Sequence, residues 1–96
     1  MQYDFEWDPE KARLNRSQHA VSFEQGATVF MDPRALSLYD DEHSATEDRW
    51  ITLGIAAGGM LLVVHHTFTE IDVSTVKIRI FSCRKATTNE ISRYGE

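Results

Sequence analysis

The run Met60-Leu61-Leu62-Val63-Val64-His65-His66-Thr67 constrains the fold more than any other stretch of this chain. Its side chains are apolar on both faces until His65, so a strand formed here has no face to give to water and takes the centre of a sheet. Ala57-Gly58-Gly59 before it is a turn signal, and Arg49 to Ile55 before that reads as a neighbouring strand. His65 and His66 are adjacent, so they point to opposite faces and cannot chelate one metal. One of them faces the same side as Arg79.

A second strand, Lys77-Ile78-Arg79-Ile80-Phe81-Ser82-Cys83-Arg84-Lys85-Ala86, carries four cations and no acid in a chain of net charge −5. Alternation assigns Ile78, Ile80 and Ser82 to one face and Lys77, Arg79, Phe81 and Cys83 to the other. Arg84 and Lys85 stand at its exit. Such a pattern describes either a solvated face or the floor of an anion-binding site.

Taken in order, Gln2 to Trp7 alternates as a half-buried strand. Asp8-Pro9 starts a helix that runs to about His19, with Asp as N-cap and Pro where an N–H would be orphaned anyway. Lys11, Asn15 and His19 share one of its faces, a polar stripe that is solvent-facing, tied down or aimed at a ligand. Ser22, with Gln25 completing a capping box, opens a second helix buried through Phe23, Ala27 and Phe30 and stopped by Asp32-Pro33. Leu36 to Tyr39 is a short strand. Asp40 to Asp48 is the most acidic run and reads as a solvated loop. Phe68 to Thr75 is a polar connection, and Thr87 to Glu90 caps a last short helix bearing Ile91 and Tyr94. The order β-α-α-β-β-β-β-α predicts an α+β fold: an antiparallel sheet of four to five strands, two N-terminal helices and a short C-terminal helix.

Residues 1–96 have the length of a single domain with one core. No apolar run reaches the roughly 20 residues of a membrane span. The first residues lack the basic and apolar regions of a signal peptide. Cys83 is alone and excludes an internal disulfide, which fits a reducing cytoplasm. Residues 1–48 hold 4 Lys/Arg against 11 Asp/Glu, and residues 49–96 hold 6 against 4. This acidity counts against non-specific nucleic-acid binding and suits a basic partner, without excluding a small basic site.

Phe5-Glu6-Trp7-Asp8, followed by Lys11, Asn15, His19, Val21 and Phe23, resembles the opening of BrnT-type ribonuclease toxins of bacterial toxin–antitoxin systems. The resemblance continues through Asp41-Glu42-His43-Ser44, Arg49 to Gly54, Leu61 to Thr67, Ile78 to Thr87 and Glu90, nearly the whole chain. It implies a single RelE-like domain that cleaves RNA and arrests translation, neutralised by a BrnA-type antitoxin. It also implies a toxin–antitoxin hetero-oligomer that binds its own operator DNA through the antitoxin. Two departures stand out: Cys83 replaces the usual Ala, and the segment 68–75 is long and acidic where relatives carry a shorter, basic hairpin.

RNA brings its own nucleophile, the 2′-OH, so an enzyme need only align it with the phosphorus and stabilise the added charge. Arg49, Arg79 and Arg84 suit the second task, because guanidinium is always charged and forks onto two phosphate oxygens. Glu47 or His66 suits proton transfer. Lys11, His19, Lys77 and Lys85 are the further RNA-binding candidates. No metal or other cofactor is expected. The rival reading is a non-catalytic module whose arginines dock a protein.

Overall fold

The apolar run forms β4 (Leu61–Thr67) at the middle of the sheet in the computed structural model, which describes residues 1–95. The other strands are β1 (Gln2–Glu6), β2 (Leu36–Tyr39), β3 (Arg49–Ile55), a two-residue β5 (Thr69–Glu70) and β6 (Thr75–Lys85). They lie in the order β1-β6-β4-β3-β2, with β5 prolonging the β4 side of β6. Strands β2, β3, β4 and β6 are antiparallel as expected. β1 differs, lying parallel to β6 with Phe5 opposite Ile78. No hairpin joins the first strand to the last, so nothing forces them to run in opposite directions. The sheet is therefore mixed.

The helices are α1 (Pro9–His19), α2 (Phe23–Ala27) and α3 (Thr88–Tyr94). Their starts follow the sequence closely, because capping is local chemistry. Asp8 accepts from the Glu10 N–H, and the Ser22/Gln25 and Thr87/Glu90 capping boxes both form. α2 is shorter than expected, tightening into a 3₁₀ turn over Thr28–Met31. The Thr28 hydroxyl donates to the Gln25 carbonyl at 2.6 Å and accepts the Ala57 N–H at 2.8 Å, a side-chain alternative to continued helix.

α1 and α2 cover one face of the sheet. Val21, Phe23 and Val29 meet Leu62, Val64, Val76, Ile78 and Ile80 there, with Tyr3, Phe5 and Trp7 packed at the side. Cys83 is in this core too, which corrects its sequence assignment. His65 pairs with Ser82 but His66 with Ile80, so Phe81 is an extra residue, a β-bulge. Beyond it the alternation inverts. Ser82 leaves the core face and Cys83 enters it, fully buried, where Gly26 of α2 leaves it room: a Cβ on Gly26 would stand 3.0 Å from the Cys83 sulfur. Burial pushes the Cys83 thiol up to about 12, so it stays protonated and inert.

Among the described residues, the helix on the second face is α3, which lies over β3 near Leu53 at one end. The other end carries Arg49 and Arg79. No described helix is long and apolar enough to cross a membrane.

Candidate active site

The sheet fixes Arg49 and Arg79 on neighbouring rungs. Arg49 opens β3 opposite Thr67, and the Arg79 N–H donates to the Thr67 hydroxyl at 3.0 Å. Their side chains converge on Glu47, which accepts from Arg79 at 2.6 Å and from Arg49 at 3.3 Å. Phe81, two residues after Arg79 and on the same face, lies beneath three cations. Its ring centre is 4.1 Å from the Arg49 guanidinium, 5.2 Å from that of Arg79 and 5.4 Å from the Lys11 ammonium. Asp8, Lys11, Glu47, Arg49, Arg79 and Phe81 line a shallow cavity of about 240 Å³. All these side chains are at least partly solvent-accessible.

Lys11 reaches the cavity because α1 is pinned along the edge of β6 that β1 leaves free. One turn further on, the buried Asn15 amide donates to the carbonyls of Cys83 (2.8 Å) and Val21 (3.0 Å), and its oxygen accepts the Cys83 N–H at 3.1 Å. The side chain thus replaces a missing strand beside the bulge. The polar stripe splits accordingly: Asn15 is structural, Lys11 joins the site, and His19 stays exposed at the helix end. His19 lies roughly 12 Å along the axis from Lys11, outside the cavity.

Arg84 is not part of the cluster. It faces the same side as Arg79, but about 15 Å further along β6. There it forks onto both oxygens of Glu90, at 2.8 and 2.9 Å. This fork holds Glu90 down at about 2 and ties α3 to the strand. Lys85 is exposed beyond it, and Lys77, half-buried, pairs with Glu6 at 3.7 Å. Neither lines the cavity.

His66 is corrected as well. It lies on the core face, 1% exposed, packed edge-to-face with Phe30 with ring centres 4.7 Å apart. Its nitrogens are engaged by the Thr52 hydroxyl at 2.6 Å and the Thr67 carbonyl at 2.8 Å. It borders a cavity of about 390 Å³ lined by Tyr3, Phe30, Trp50 and Phe68, with the Asp32 carboxylate and no Lys or Arg, a poor place for phosphate. Desolvation holds its pKa down at about 4. The unfolded chain therefore binds a proton that the folded chain refuses. The stability contributed by neutral His66 is full above about 6.5 and is lost as pH falls toward 4, a loss on the order of 3 kcal/mol. Thermal midpoints measured from pH 7 to 4 should fall more steeply in the parent than in His66→Gln. Parallel curves would refute this account.

The histidine facing the arginine side is His65, which is half-buried, its pKa lowered first by desolvation and then by Arg84. Sequence reasoning foresaw that only one histidine would share the Arg79 face, but alternation cannot say which. It also missed Phe81 as a platform. Among the described residues, no group of three or more His, Cys, Asp and Glu side chains is placed to hold a metal ion.

The family model described as "Ribonuclease toxin, BrnT, of type II toxin-antitoxin system" matches residues 7–90. The chain belongs to this family. It is a ribonuclease toxin of a type II toxin–antitoxin system, and an antitoxin partner follows from that membership. The matched segment contains every residue of the Glu47 cluster and the Arg84–Glu90 fork. A crystal structure at 1.1 Å resolution of the Brucella abortus ribonuclease toxin, BrnT, is similar in fold, with a TM-score of 0.57 at 18% identity. The likeness covers 92% of this BrnT-family chain and 100% of that one. A search of curated proteins finds no match.

Proposed function

We propose that this BrnT-family toxin acts as one domain that cuts RNA without a metal. The RNA 2′-OH attacks the adjacent phosphorus, and the products are a 2′,3′-cyclic phosphate and a 5′-OH. The carrying observation is the Arg79–Glu47–Arg49 cluster over Phe81: two guanidiniums for the phosphate, a carboxylate between them for the 2′-OH proton, and a ring for a base to stack on. Lys11 adds a third positive charge at the rim. In the absence of RNA, Glu47 keeps the two arginines from repelling each other. When phosphate arrives it takes over that role, and the carboxylate is released to accept a proton.

The partner is a BrnA-type antitoxin, and the hetero-oligomer binds operator DNA through the antitoxin; the setting is the reducing cytoplasm. A docked antitoxin would silence the enzyme by covering the open end of the second face.

The test is direct. Purified protein incubated with RNA in EDTA should yield fragments ending in 2′,3′-cyclic phosphate. Expression alone should arrest bacterial growth, and co-expressed antitoxin should restore it. Soluble protein that neither cuts RNA nor slows growth favours the protein-docking module instead.

A further inference from the structure

The acidic stretch 40–48, which reads as a solvated loop in the sequence, is tied closed at one point. The Asp40 N–H donates to the Arg49 carbonyl at 2.8 Å, and the Arg49 N–H donates to the Ser44 hydroxyl at 3.0 Å. That hydroxyl in turn donates to the Asp40 carbonyl at 2.5 Å, and the His43 N–H reaches the same carbonyl at 3.3 Å. The start of the loop, Asp40, and its middle, Ser44, are thus fastened to the backbone of Arg49. The loop carries two proton-handling groups, Glu47 and His43. The Asp40 carboxylate is nearly buried and accepts from Nδ1 of His43 at 2.8 Å, while the His43 side chain is 59% exposed. An ionised carboxylate only accepts, so Nδ1 carries its hydrogen toward Asp40 and Nε2 points away from it, toward solvent.

We propose that His43, oriented by Asp40, gives the proton to the 5′-oxygen that leaves when RNA is cut. This rests on the metal-free 2′-OH reading above and adds its missing half. In-line displacement needs a base at the attacking oxygen and an acid at the leaving oxygen, on opposite sides of the phosphorus. Glu47 lies between Arg49 and Arg79, on the β6 side of Arg49. Asp40 follows β2, one step beyond the Tyr39–Trp50 pair, so alternation places its side chain on the Arg49 face and on the opposite flank of that residue. A phosphate held by Arg49 thus has the Glu47 carboxylate on its β6 side, and the Asp40–His43 pair lies on its β2 side. His65, on the same face of β4, feels the charges of both Asp40 and His43, which are therefore near it. In the step, the 2′-oxygen bonds to phosphorus and its proton passes to Glu47. The bond from phosphorus to the 5′-oxygen breaks, and that oxygen takes the Nε2 proton of imidazolium His43. Charge and protons balance, and solvent resets both groups.

The experiment compares ordinary RNA with RNA in which sulfur replaces the leaving 5′-oxygen, since a thiolate leaves without a proton. His43→Gln should slow cleavage of ordinary RNA by about 10²–10⁴-fold and cut the sulfur-substituted RNA within a few-fold of the parent. Glu47→Gln should remain slow on both, because the 2′-OH proton still has to be removed. His43→Ala should regain activity with added imidazole, and Asp40→Asn, a positioning change, should show a smaller version of the His43→Gln pattern. A His43→Gln variant as fast as the parent on ordinary RNA, or equally impaired on the two substrates, overturns the proposal. Parent products ending in 5′-phosphate would overturn the 2′-OH reading itself, and this step with it.

Discussion

Arg79→Ala is expected to abolish RNA cleavage while leaving the thermal midpoint nearly unchanged. The Arg79–Glu47 pair is short, at 2.6 Å, but the two side chains are 41% and 35% exposed, so water and salt screen it. Exposed pairs of this kind contribute about 0–1 kcal/mol to folding. The same guanidinium facing a phosphorane is a different case, because charge develops there only in the transition state. Removing one such donor typically costs about 10²–10³-fold in rate. Arg49→Ala should be at least as damaging, since it also strips the cation stacked on Phe81. Arg84→Ala should behave in the opposite way. Its fork to Glu90 anchors α3, so the midpoint should drop while the activity of the remaining folded protein persists. Cleavage and unfolding curves on these three variants, with Phe23→Ala as a core control, decide the matter. An Arg79→Ala protein that unfolds as readily as Phe23→Ala, or that cuts RNA at close to the parent rate, would remove Arg79 from the site.

Much of this fold was legible because its determinants are local. The caps at Asp8, Ser22 and Thr87 and the central run of β4 depend on residues within a few positions of one another. What escaped notice depends on partners far away in the chain. The bulge at Phe81 is defined only by the pairing of β6 with β4, so alternation read from β6 alone placed Ser82 and Cys83 on each other's faces. The same blindness favoured His66 over His65: period two says that they oppose, and only the packed helices say which is inside. The parallel pairing of β1 joins residues more than 70 positions apart, and no local signal encodes it. Among the site candidates, Arg49, Arg79, Glu47 and Lys11 converge because three strands and a helix edge meet there. Arg84 has the right chemistry at the wrong end of its strand. The loop at 40–48 looked solvated because its closure runs through one backbone position of β3.

Asn15→Leu is expected to destabilise the protein severely and to loosen the site with it. The side chain, 5% exposed, makes three hydrogen bonds that bind the end of α1 to the bulged segment of β6. Leucine matches its size but leaves the Cys83 N–H and two carbonyls buried without partners. Each unsatisfied group costs about 1–3 kcal/mol, which together is a large share of the roughly 5–15 kcal/mol that holds a typical domain. Asn15→Asp keeps the acceptor for the Cys83 N–H but turns lone pairs toward the Cys83 and Val21 carbonyls, so it should fail nearly as badly. Arg13→Ala, two positions earlier on α1, is the contrast. Arg13 pairs with Glu10 on the exposed side of the helix, where the loss should be close to nothing. Denaturant midpoints should therefore fall for both Asn15 variants and hold for Arg13→Ala, with the Cys83 amide exchanging its hydrogen much faster in Asn15→Leu. Because Lys11 rides one turn before Asn15, whatever Asn15→Leu protein remains folded should bind RNA more weakly, raising KM more than it lowers kcat. A midpoint for Asn15→Leu equal to that of the parent would mean that the packing of Trp7 and Phe23 alone holds α1 in place, and that the amide is dispensable.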